Sequence, residues 1–157
     1  MSKTLKYTIV TLAIVGASLY FVIKLSLSKF QRQVVFQANA EADKWIPYSE
    51  TSPEVSQILQ EYWADGVGLN YSLSQIQSNL WQGENYWSAA YISWVMKVSG
   101  AGGYFPYNAS HSYYVTQTKQ NRLNNVGKFK AYRTSEVKPR KSDIVCRYRG
   151  NTVNSYD

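Results

Sequence analysis

The pattern of apolar and polar positions changes period several times along the chain, and its first block is the most uniform. Residues 7–23, YTIVTLAIVGASLYFVI, form a run of 17 positions without a charge, with Lys3 and Lys6 before it and Lys24, Lys29 and Arg32 after it. That is the short end of the roughly 17–25 residues that cross a bilayer core, and Lys24 can snorkel to lengthen it. A cleaved signal peptide is the competing reading, because Val15-Gly16-Ala17 offers small residues for cleavage. Apolar residues continue through Ile23, so the pattern predicts an uncleaved N-terminal transmembrane helix within residues 1–28. Basic residues flank both sides and the positive-inside rule gives no clear vote. A short N-terminus before a large C-terminal part fits a single-pass protein of the cytoplasmic (inner) membrane whose domain lies on the periplasmic side.

Residues 29–50 read as a polar connector, helical over 31–43 and loop-like around Ile46-Pro47-Tyr48. The domain proper is read as 51–157. It opens with a capping Thr51 or Ser52, Pro53 at the first helical position and Glu54 in the first turn. Val55, Ile58, Leu59, Tyr62 and Trp63 follow at helical spacing, and Asp65-Gly66 closes this amphipathic helix. A Ser- and Gln-rich stretch over 71–80 holds room for a second short helix. Residues 86–96 are apolar nearly all round, as a helix buried in a core should be, and Gly100 to Gly103 then form a turn. Another helix begins at Asn108 or Ser110, carrying His111 in its first turn. Beyond Asn125 the period shifts: Phe129 to Arg133 alternates every second residue, and Ile144 to Tyr148 is short and β-branched. Helices first and strands afterwards predict an α+β fold with a short, incomplete antiparallel sheet.

Composition narrows the chemistry. The chain has 157 residues, enough for one domain with a sizeable core, and its 15% aromatic share argues against disorder. A single Cys excludes an intramolecular disulfide and, with a single His, a structural zinc site. Imidazole catalysis is confined to His111. No phosphate loop, dinucleotide fingerprint, HExxH or EF-hand pattern occurs, so neither a cofactor nor a metal is expected. The net charge of +7 is uneven. Over residues 32–97 three basic residues face seven acidic ones, whereas over 119–149 ten basic residues face Glu136 and Asp143. The basic third is either a solvated surface or a face for an anionic partner.

The segment YWSAAYISWVMKVSGAGGYFPYNASHSYYV resembles the core of a family of uncharacterised bacterial domains. These share a Trp-Ser-Ala-Ala-Phe-Ile-Ser-Trp-Val-Met motif, a Gly turn, Phe-Pro and a Ser-His-Ser-x-Tyr helix. FKAYRTSEVKPRKSDIVCRYRG resembles the same family's later elements, and the likeness covers residues 61–150. That family in turn is similar to the CHAP and NlpC-type papain-like amidases of peptidoglycan. There a Trp-Cys motif sets a nucleophilic Cys at a helix N-terminus, and a Pro-x-x-Gly-Asp turn leads into a barrel. The resemblance implies a papain-like domain with Ser88 at the nucleophile position and the segment 139–145 at the turn. It also implies a further His-bearing strand beyond Asp157, so the domain is read as truncated.

Each candidate residue has a plainer reading beside its chemical one. Ser88 is either a nucleophile, with His111 as its base, or an N-cap hydroxyl on a free backbone N–H. The two approach if the Gly100 to Gly103 turn folds the second helix back on the first. His111 near a helix start suits a neutral base, or simply bonds Ser110, Ser112 and backbone. Asp143 orients an imidazole or closes a turn. Cys146 reads as a buried small hydrophobe in a strand, with a reactive thiol as the alternative. Trp87 and Trp94 belong to the core or to a sugar platform, and Glu61 to an exposed face or a cleft. Lys138, Arg140, Lys141, Arg147 and Arg149, with Trp87, form the candidate binding set. Peptidoglycan or another anionic envelope polymer is the better-placed partner, beside the membrane itself; the anchor disfavours nucleic acid, and the oligomeric state is left open. Two functions stand: an envelope amidase or peptidase acting on peptidoglycan, and a catalytically inactive envelope-binding domain using the basic C-terminal face.

Overall fold

In the computed structural model, residues 27–147 are described. The first helix, α1, spans Lys29–Trp45. Its start is fixed by a reciprocal cap: Ser28 Oγ accepts from the Gln31 N–H at 3.2 Å, and Gln31 Oε1 accepts from the Ser28 N–H at 2.9 Å. Val34 and Glu41, two turns apart, are its buried residues. Pro53 then opens a short 3₁₀ turn, Pro53–Val55, which runs into α2, Ser56–Glu61, and on into a π-helical turn, Tyr62–Gly66. Val55, Leu59, Tyr62 and Gly66 recur at helical spacing and face the core.

Two short helices follow, α3 at Leu73–Ile76 and α4 at Asn79–Glu84, each started by a serine cap from Ser72 or Ser78. Gln82 bolts this pair down, its Nε2 donating to the Ile76 carbonyl at 2.7 Å and the Glu50 carbonyl at 2.8 Å. The central helix is α5, Ser88–Val98, with Ala89, Ala90, Ser93, Trp94, Val95 and Met96 buried. It packs against the π turn and α1. Gly100, at φ 91°, ends it by turning left-handed, so that the Ala101 N–H reaches back to the Met96 carbonyl at 3.0 Å. The last helix, α6, spans His111–Leu123 and buries Tyr114 and Thr118. Full burial of Val55, Leu59 and Ile76 contributes about 1.5–3 kcal/mol apiece.

The fold is helical, which corrects the α+β expectation: among the described residues there is no strand, no sheet and hence no papain-like architecture. The segments read as strands carry no regular structure and no ladder partner, and Tyr148 at the end of the second lies outside the described residues. Phe129 packs edge-on against Phe30 and Phe105. Its neighbours bond to α6 instead, with the Ala131 N–H on the Thr118 carbonyl at 3.1 Å and Asn121 Nδ2 on the Phe129 carbonyl at 3.2 Å. Residues 144–147 likewise carry no regular structure. Alternating burial needs only one packed face, whereas a strand also needs a lateral partner.

The membrane placement is corrected too. No helix among the described residues is long and apolar enough to cross a membrane. The apolar run 7–23 itself lies outside the described residues. The expected single-pass location in the inner membrane thus finds no spanning helix among the described residues.

Candidate functional site

Two serines of α5 position the site. Ser93 is fully buried, and its hydroxyl donates to the Asn108 carbonyl at 3.0 Å while accepting from the Asn108 N–H at 3.2 Å. Asn108 Oδ1 then accepts from the Ser110 N–H at 2.9 Å, and Tyr107 holds the Gly102 carbonyl through its hydroxyl at 2.8 Å. These bonds fix the return loop, so α6 begins beside the start of α5. As a result Ser88 Oγ lies 2.7 Å from His111 Nε2. The two helix starts, 23 residues apart, meet at this hydrogen bond.

Ser88 is the first residue of α5, after Trp87, and no side-chain cap bond closes this helix start. Its half-buried hydroxyl is directed to the imidazole. The first-turn N–H groups of a helix have no carbonyl one turn earlier to bond, and they carry the positive end of its dipole. A tetrahedral oxyanion forming on Ser88 would meet donors of that kind.

The other ring nitrogen of His111, Nδ1, bonds the Tyr114 hydroxyl from one turn along the same helix. Tyr114 is buried, and desolvation first, then the nearby Cys146, raise its phenol above the ordinary value. The phenol therefore stays neutral. When Nδ1–H donates to the Tyr114 oxygen, Nε2 is left as an acceptor for the Ser88 proton, the tautomer a general base requires. The arrangement has the order nucleophile, imidazole, orienting group. Its third member is a neutral phenol rather than a carboxylate, so it orients the ring without supplying negative charge to an imidazolium. Tyr114 is not among the candidates drawn from the sequence; its spacing of three from His111 on one helix is the signal that could have placed it beside the imidazole.

The remaining candidates lie apart from this pair. Asp143 closes its own turn, accepting from the Arg140 N–H at 2.8 Å. Cys146 is exposed in area and belongs to no strand, a correction to its reading as a buried strand residue; the atoms packed round it still raise its thiol above the usual value, away from thiolate. Lys138, Arg140, Lys141 and Arg147 are all exposed on the irregular C-terminal segment, and Arg149 lies outside the described residues. Glu61 is exposed and Trp94 is buried in the core. Trp87 is half-buried, stacks on Trp45 at 4.6 Å and donates from Nε1 to Glu50 Oε2 at 2.6 Å. Among the described residues no group of three or more His, Cys, Asp or Glu is placed to hold a metal ion.

The profile of a bacterial family described as "Uncharacterized protein conserved in bacteria (DUF2272)" matches residues 55–156, a stretch that contains Ser88, His111 and Tyr114. No curated protein and no solved structure matches the chain.

Proposed function

The chain belongs to the bacterial DUF2272 family, and from the geometry of its Ser88–His111 pair we propose that it is an acyl-transfer hydrolase of the amidase or peptidase type, with Ser88 as nucleophile and His111 as general base. The observation that carries the reading is the 2.7 Å hydrogen bond between Ser88 Oγ and His111 Nε2 at the start of a buried helix. In the step, His111 Nε2 takes the Ser88 proton as Oγ attacks a carbonyl carbon. The first-turn N–H groups of α5 receive the oxyanion. The imidazolium then returns its proton to the leaving amine, giving an acyl-serine that water cleaves. The motif likeness of Trp87-Ser88 to the CHAP and NlpC-type amidases supports an amide substrate, with peptidoglycan as the polymer to test.

A second reading rests on the neutral Tyr114 and the exposed cations Lys138, Arg140, Lys141 and Arg147. It is a domain that binds an anionic envelope polymer without cleaving it. Incubating the full chain with purified peptidoglycan, and separately with a fluorophosphonate, distinguishes the two. The hydrolase reading expects a covalent adduct on Ser88 by peptide mass spectrometry and released peptide or sugar fragments, both abolished by Ser88→Ala. Co-sedimentation with peptidoglycan, without adduct or release, selects the binding reading.

A further inference from the structure

A recess of about 170 Å³ opens on the α1 side of α5, lined by Glu41, Ala42, Trp45, Trp87 and Tyr91. Its walls are the half-buried Trp45, Trp87 and Tyr91, and Glu41 is almost fully buried, 2% exposed. A carboxylate seldom stands so deep unless its oxygens are bonded, and both are. The Tyr62 hydroxyl donates to Oε2 at 2.6 Å, and Lys44 Nζ donates to Oε1 at 2.6 Å. The two partners differ in kind. Tyr62 is fully buried, and its phenol, held neutral by burial and by Glu41, also accepts from Trp45 Nε1 at 3.2 Å. Lys44 comes from the same helix as Glu41, and half of its side chain is exposed. The bond to Tyr62 is therefore part of the core, whereas the ammonium on Oε1 sits at its edge and is exchangeable.

From this we propose that the recess is a binding site for a primary alkylammonium group, with Lys44 as its built-in stand-in. The ligand ammonium replaces the Lys44 Nζ on Glu41 Oε1, and its methylene stem lies along the indole and phenol walls. An ammonium among aromatic rings gains from their negative faces as well as from the carboxylate. The stem removes apolar surface from water. A partly exposed ion pair resists displacement weakly, so Lys44 lowers the affinity without abolishing it. The site does not use Ser88 or His111, and it stands whether or not the serine chemistry does.

The test is a titration of the full chain with n-butylammonium, followed by tryptophan fluorescence, with n-butanol as the uncharged analogue of the same stem. Saturable binding is expected, weaker for n-butanol by about tenfold or more, since a charge-assisted bond is lost. Lys44→Gln should tighten butylammonium binding by about threefold. Glu41→Gln should weaken it by about tenfold or more, and Ser88→Ala should leave it unchanged. Equal affinity for n-butanol and n-butylammonium would reduce the recess to an apolar dent and overturn the proposal. So would a Lys44→Gln protein that shows no saturable response; these two results decide the matter even if Glu41→Gln fails to fold.

Discussion

The carbonyl oxygen of Ala90 lies 2.6 Å from where a Cβ on Gly66 would stand, so the π turn and the central helix touch backbone to backbone. The same Cβ would meet the Trp94 N at 3.0 Å. Neither neighbour is the end of a flexible side chain, and relief requires the two helices to separate. Gly66→Ala is expected to destabilise the fold by about 1–3 kcal/mol, measured by urea denaturation. Wild-type stability in that variant would mean that the close approach is not maintained in solution.

Ser88→Ala is expected to leave stability within about 0.5 kcal/mol of wild type, because the hydroxyl caps no backbone N–H. Ser72→Ala, which removes a reciprocal cap with Gln75, should cost about 1 kcal/mol. Thermal melts of the two variants side by side separate a hydroxyl held for chemistry from one held for a helix end. A loss at Ser88 as large as that at Ser72 would return Ser88 to a structural role.

Tyr114→Phe keeps the ring in the core and removes the oxygen that His111 Nδ1 bonds. The expected cost in stability is about 1 kcal/mol. Any Ser88-dependent hydrolysis should fall about 10- to 100-fold, because the imidazole remains but its tautomer is no longer fixed. Nitrogen chemical shifts of the His111 ring report the tautomer directly. They should move toward a mixture in the variant, a change that a purely structural role for Tyr114 does not require.

Much of this arrangement was legible in the residues, and the failures have definite causes. Apolar character broken only by Ser93 from Ala89 to Met96, followed by Gly100, marks α5 because a buried helix is apolar nearly all round and Gly turns left-handed at little cost. The Pro53 start and the Gly66 stop of the preceding helix are equally local signals. Phe129 to Arg133 misled because alternation records which side chains are covered, and not what lies beside the backbone. There the neighbour is α6, through Thr118 and Asn121. The meeting of Ser88 with His111 depends on Ser93 gripping both backbone groups of Asn108, a long-range bond with no local signature. Glu41 gave no hint of depth either. An acidic residue on a polar helix reads as exposed until its partner Tyr62 is brought 2.6 Å away by tertiary packing.

Alkaline conditions should expose the buried phenols. Tyr62, Tyr91 and Tyr114 all have their ionisation pushed above the ordinary value, with burial as the largest cause. Their folded-state values lie above the unfolded value of about 10. The stability they contribute is thus complete below about pH 10 and is lost as pH rises toward the folded-state values. Denaturation midpoints measured from pH 9 upward should fall past about pH 10, and less steeply in Tyr114→Phe than in wild type. A midpoint that holds level across that range would show that these phenols ionise as readily folded as unfolded.

The C-terminal segment after Leu123 is tied to the helical body at a few points: Val126 N–H to Asn121, Ala131 N–H to Thr118, Phe129 packed on Phe30 and Phe105, and the Arg122–Glu136 ion pair. The amides of Glu136, Val137 and Asp143 bond only within the segment's own turns, to Arg133 and Arg140. Hydrogen exchange should therefore divide the described residues into two tiers. Core amides of α5 are expected to exchange through global opening, and the turn amides of the segment through local opening of lower free energy. Lys138, Arg140 and Lys141 ride on the lower tier. A rearrangement of these charges would then leave the Ser88–His111 pair, anchored in the upper tier, in place.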